Sequence, residues 1–94
     1  MFKRKRGIHL SYYKQGFVYF YCANYKSLPH QAKAKIESLC DEIAGRDSAA
    51  LLSLLTNPEK SVLNISMNHF ISEKQLYRLR ALFYEAFWKR EIYK

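Results

Sequence analysis

GFVYFYCANYK, Gly16 to Lys26, decides between two folds. Its aromatic and β-branched side chains are the types that strands favour. With Lys14, Gln15 and Gly16 as a turn, IHLSYY (8–13) and FVYFYC (17–22) pair as a hairpin. Against that, VYFYCANY (18–25) has apolar side chains on all sides and the length of a buried helix, a case that periodicity does not decide. Length favours the helix, and the hairpin stays as the alternative.

Downstream the signals agree. Pro29 suits a first helical turn, where no amide hydrogen is needed, and Gly45 is a natural stop beyond a last turn. Between them Ala32, Ile36, Leu39, Cys40 and Ile43 recur at helical spacing, with Lys33, Lys35, Glu37, Asp41 and Glu42 on the solvated side. Asp47 is placed to cap a second short helix, SAALLSLLT, whose Leu51, Leu52, Leu54 and Leu55 read as core. Asn57 and Pro58 end it.

Upstream, MFKRKR reads as a mobile basic arm, which divides the chain into an arm over 1–7 and a single helical domain over 8–94. The formal net charge of +8 on 94 residues favours a polyanionic partner. Residues 1–14 carry +5, residues 15–57 are neutral and residues 58–94 carry +3, so the charge sits at the two ends. No apolar run follows the basic start, which argues against a signal peptide, and no apolar stretch reaches the ~18 residues of a membrane span. An intracellular protein with no membrane association is expected. Cys22 and Cys40 lie in apolar segments and read as buried free thiols. A zinc site from Cys22, His30 and Cys40 lacks the close ligand pair that seeds a tetrahedral centre, so no metal and no cofactor is expected. His9, His30 and His69 have no partners at catalytic spacing and read as structural or surface residues.

Ser61 can cap a short helix, VLNISMNHF, with Val62, Ile65 and His69 on one side. After the interruption at Phe70 and Ile71, SEKQ has a serine followed three residues later by glutamine, the pattern of a capping box at Ser72. With Ser72 as the cap and about 100 degrees per residue, Leu76, Leu79, Phe83 and Phe87 form an inward stripe. The opposite face carries Lys74, Tyr77, Arg78 and Ala81, with Gln75 at its flank. The expected fold is therefore all-α, a small bundle of about five helices ending in a helix-turn-helix at about 61–88. Its alternative is an N-terminal β-hairpin packed on roughly three to four helices.

In a helix-turn-helix the amino-terminal part of the second helix meets base edges in the major groove. Lys74 and Arg78 suit guanine, Gln75 can pair two-handed with adenine, and Tyr77 suits a phosphate. Lys3, Arg4, Lys5, Arg6, Lys60, Lys89 and Arg90 are weaker candidates for phosphate contacts. Arg80 stands nearer the apolar stripe, where an arginine snorkels or forms a salt bridge.

NISMNHFISEKQLYRLR (64–80) resembles the helix-turn-helix of sigma-factor carboxy-terminal regions and of small phage regulators of late genes. The positions that carry the resemblance are Ile65 and Ser66 in the first helix, Ile71 and Ser72 at the turn, and Leu76 four residues later. His69 stands where that family usually has an aliphatic residue, and Phe70 where it often has glycine. A Phe70 that points outward would meet a partner rather than the core. The order of segments along the chain is also similar to small proteins of phages and integrated elements in Gram-positive bacteria. The resemblance implies a sequence-specific transcriptional regulator of a phage or mobile element, in the cytoplasm of a bacterial host. It also implies double-stranded DNA as partner, and because one such module buries too little surface for tight specific binding, a homodimer or RNA polymerase is expected to complete the complex.

The tail WKREIYK (88–94) sets Trp88 and Tyr93 beside Lys89, Arg90 and Lys94, and Trp88 is expected to pack on its own domain. An enzyme is not expected, since no nucleophile–base pair, paired carboxylates or glycine-rich phosphate loop occurs in the sequence. The other class in play is a phage-encoded protein-interaction module on the same scaffold. A polymerase-docking factor, a DNA-packaging component or an inhibitor of a host nuclease would each fit it.

Overall fold

Ser11 settles the ambiguous segment. Its hydroxyl accepts from the Lys14 amide at 3.3 Å, and a helix, α1, runs over Tyr12–Ala23. In this computed structural model, which describes residues 2–92, every regular element is helical: α2 is His30–Ala44, α3 Ser48–Thr56, α4 Val62–His69 and α5 Glu73–Phe87. A π turn, Trp88–Ile92, continues α5. The all-α expectation holds, and there is no strand among the described residues. Tyr93 and Lys94, the end of the tail, lie outside them.

Boundaries follow local chemistry. Pro29 immediately precedes α2, and Gly45 ends it with φ 56° and ψ −120°, a backbone state that a side chain disfavours. Asp47 precedes α3 as expected, but its side chain makes no capping hydrogen bond. A 3₁₀ turn over Gly45–Asp47 leads straight into α3 and takes the place of that cap. Asn57 closes α3 with its side-chain amide donating to the Ser53 carbonyl at 3.0 Å.

α3 and α5 form the centre, and α1, α2 and α4 each pack on both. The core holds Val18, Cys22, Ile36, Leu39, Cys40, Leu51, Leu55, Ile65, Leu76, Leu79, Phe83 and Phe87. Cys22 and Cys40 are free and buried. Burial comes first in pushing both thiols up to about 12, followed for Cys22 by the nearness of Cys40 and for Cys40 by Asp41 and Glu37. They act as small apolar side chains.

α1 departs from the buried helix that its all-round apolar composition suggested. Val18, Cys22 and Gln15 face inward, while Tyr12, Tyr13, Phe17 and Phe20 are exposed. The reason is coverage, since α3, α5 and the Phe2 ring cover only part of the circumference of α1.

Residues 2–7 lie along the domain rather than standing off as a mobile arm. Phe2 is buried, its ring 4.9 Å from that of Tyr19 and 5.5 Å from that of Tyr12. Gln15 is fully buried and holds the segment from beneath. It accepts from the Lys5 amide at 2.8 Å and donates to the carbonyls of Leu10 at 3.0 Å and of Lys5 and Ile8 at 3.4 Å. The His9 amide adds a bond to Glu85 on α5.

A buried polar group left without its partner costs about 1–3 kcal/mol. Gln15→Leu orphans several at once and is expected to lower stability by roughly 2–3 kcal/mol in urea denaturation. It should also speed tryptic cleavage within Lys3–Arg6, because cleavage needs the segment to detach. Unchanged cleavage would show that Gln15 does not hold it.

Candidate nucleic-acid interface

The C-terminal pair of helices is built around one serine. The Ser66 hydroxyl donates to the Ile71 carbonyl, and the Ser66 carbonyl accepts from the Ile71 amide at 3.1 Å. The chain is thereby folded back on α4 within three residues, Phe70, Ile71 and Ser72. Such a reversal requires a left-handed residue after the helix, and Phe70 takes it with φ 55° and ψ 45°. A glycine does this without a steric penalty, whereas the Phe70 Cβ is crowded there.

Caps fix both helices. Ser61 accepts from the Asn64 amide at 3.0 Å, and Ser72 accepts from the Gln75 amide at 3.1 Å. The return bond of a full capping box, from the Ser72 amide to the Gln75 side-chain oxygen, is not formed among the described residues. Ile65, Ile71 and Leu76 are buried, so each aliphatic position of the motif anchors the unit to the core. His69 is exposed, and Ile65 and the partly buried Val62 hold α4 without it.

With Ser72 as origin, α5 buries Leu76, Leu79, Phe83 and Phe87 as its periodicity foretold, and Tyr84 besides. Lys74, Tyr77 and Arg78 are exposed on the other side, with Gln75 half-buried at the flank. The structure therefore brings the four expected base- and phosphate-facing side chains together on the first two turns of α5. No acid pairs with Lys74 or Arg78 among the described residues.

The weaker phosphate candidates scatter. Lys3, Arg4, Arg6, Lys60 and Lys89 are exposed. Lys5 is half-buried, its ammonium over the rings of Tyr19 at 5.3 Å and Phe2 at 5.5 Å. Arg90 pairs with Glu42, and Glu91 pairs with Lys35 at 3.3 Å, so the π turn is tied back to α2. Trp88 packs on its own domain, edge-on to Phe17 at 5.9 Å and beneath the Lys14 ammonium. Arg80 forms no salt bridge among the described residues and lies over the Tyr77 ring at 5.1 Å.

Sequence reasoning missed two features. Leu63, Met67 and Phe70 form an exposed apolar row leading to the turn, Phe70 being 95% exposed. Their spacing of four and three was the available signal. The second is the outer face of α1, where Tyr13, Phe17 and Phe20 border a groove of about 590 Å3. Uniform apolar composition carries no sign of which side stays uncovered. Compared with known protein families, curated proteins and solved structures, the chain has no match.

Phe70 costs stability where it stands. The left-handed penalty of ~1–2 kcal/mol, less the ~0.5–1 kcal/mol that glycine loses in entropy, predicts that Phe70→Gly stabilises the protein by about 1 kcal/mol. Ser72→Ala is expected to cost about 1 kcal/mol through the lost cap. Chemical denaturation of the two variants checks both signs. A destabilised Phe70→Gly would mean that the ring contributes to the fold.

Proposed function

We propose that the protein is a sequence-specific DNA-binding transcriptional regulator of a phage or integrated mobile element, reading the major groove with α5. The observation that carries this reading is the locked α4–turn–α5 unit, in which the Ser72 cap turns Lys74, Tyr77 and Arg78 outward from the first turns of α5, with the half-buried Gln75 at their flank. The resemblance of residues 64–80 to sigma-factor and phage late-gene helix-turn-helices points the same way. So does the excess of positive charge.

The mechanism is positional. Lysines and arginines neutralise phosphates and release counterions, which gives affinity without sequence information. Lys74 and Arg78 supply contacts to guanine and Gln75 to adenine, and these discriminate between sites. A single module of this size buries too little surface for tight specific binding, so a homodimer or RNA polymerase completes the complex. The site of action is the cytoplasm of the host cell. Among the described residues no helix is long and apolar enough to cross a membrane.

A second reading is favoured by the exposed rings of Tyr13, Phe17, Phe20 and Phe70. Apolar patches of this kind commonly meet another protein. On that reading the scaffold is a protein-interaction module, such as a polymerase-docking factor, a packaging component or an inhibitor of a host nuclease. Charge reversal on α5 would leave its activity intact.

Binding to random duplex DNA separates the two. If ~4 phosphates are neutralised, affinity should fall about 100-fold between ~50 and ~200 mM salt. Lys74→Glu with Arg78→Glu should abolish binding while helicity and melting temperature stay unchanged, because both side chains are exposed. No binding at low salt would sink the regulator reading.

A further inference from the structure

Arg80 is out of keeping with its surroundings. Its Nε is buried and has no hydrogen-bond partner. Buried donors in folded proteins are almost always paired, and an unpaired one on an ionised group is expensive. Burial works against its charge, with only Tyr84 and Tyr77 opposing that effect.

Around Arg80 the chain assembles a cleft of about 240 Å3 with Lys5, Lys60, Ser61, Tyr19 and Tyr84 on its walls. Three cations come from three distant parts of the sequence, and among the described residues no acidic side chain lines the cleft. Burial first, and then the charge of Arg80, hold the Lys5 ammonium below the usual lysine range. Gathering like charges in a half-dry cleft is unfavourable unless an anion is there to offset them. The N-terminal turn of α4 adds to the same sign. Ser61 and Val62 line the cleft, and the first-turn amides of Val62 and Leu63 have no acceptor within the helix.

We propose that this cleft is a phosphate-binding site. Arg80 offers its planar guanidinium from the cleft wall, Lys60 brings a mobile point charge from the rim, and Ser61 has a hydroxyl proton to give while its oxygen caps α4. A phosphate there offsets the charges of Arg80 and Lys5 and relieves their repulsion. The group comes either from a nucleic-acid backbone or from a free phosphorylated compound. Tyr77, beneath the Arg80 guanidinium, stands between the cleft and the Lys74/Arg78 face on the surface of α5.

The test titrates the isotope-labelled full chain with inorganic phosphate and with pyrophosphate at constant ionic strength, following the arginine Nε–Hε signals by NMR. A saturable shift of the Arg80 signal and of the Val62 amide is expected. Binding should be lost in Arg80→Met, weakened roughly tenfold in Lys60→Met, and unchanged in Lys26→Ala, an exposed lysine away from the cleft. Should Arg80→Met fail to fold, exposed Lys60 carries the test alone. Shifts that follow ionic strength with chloride equally well, or that persist in both variants, overturn the proposal.

Duplex DNA supplies the arm that distinguishes the sources. A salt slope reduced by about one phosphate in Arg80→Met, or in Lys60→Met should Arg80→Met fail to fold, identifies the backbone. If that variant keeps the parent's affinity and slope for DNA, a free phosphorylated compound is the ligand. Phosphate saturating the cleft of a protein that binds no duplex supports the site while removing the DNA reading.

Discussion

The bond from the Ser66 hydroxyl to the Ile71 carbonyl governs the α4–α5 half of the molecule. It closes the last turn of α4 from inside and, with the backbone bond between the same two residues, sets where the chain must reverse. Phe70 is then forced into the left-handed region, Ile71 is drawn into the core, and Ser72 is left at the position from which it caps α5. Once the cap is set, the helical period decides the rest. Leu76 and Leu79 go inward, and Lys74 and Arg78 have no alternative to solvent.

That arrangement has a cost, and its placement is informative. An aromatic ring at 95% exposure in a left-handed backbone state gains nothing from the fold. A strained and exposed residue retained at a turn invites a functional explanation, whereas a strained buried one is explained by packing. Arg80 likewise keeps a buried Nε that has no hydrogen-bond partner among the described residues. Both lie on the α4–α5 side, whereas the ion pairs of Arg90 and Lys35 at the far end of α5 are internally satisfied.

Much of this fold was legible from residue order. Ser61 and Ser72 announce two helix starts, Gly45 a helix end, and SAALLSLLT coincides with α3. These signals are local, and local chemistry is what a sequence displays most directly. The hidden features are those that depend on distant partners. Gln15 looked like part of a turn and is the buried hub that fastens residues 5–10. Asp47 looked like a cap, but the 3₁₀ turn that contains it removes the need. α1 has apolar residues all round, so only its packing on α3 and α5 tells Val18 from Phe17. The outward set on α5 followed from the capped register alone. Lys5, Lys60 and Arg80 could not have been associated, because nothing but the fold brings them to one cleft.

Mapping the surface that a short DNA duplex touches on the isotope-labelled protein tests this account most directly. If α5 reads DNA, amide shifts at low salt concentrate on Ser72 to Arg78 and at the rim of the Arg80 cleft, with the outer face of α1 from Tyr13 to Phe20 unchanged. Shifts confined to α1, or spread evenly over every exposed lysine, would contradict it and leave the α4–α5 unit as a scaffold for a protein partner.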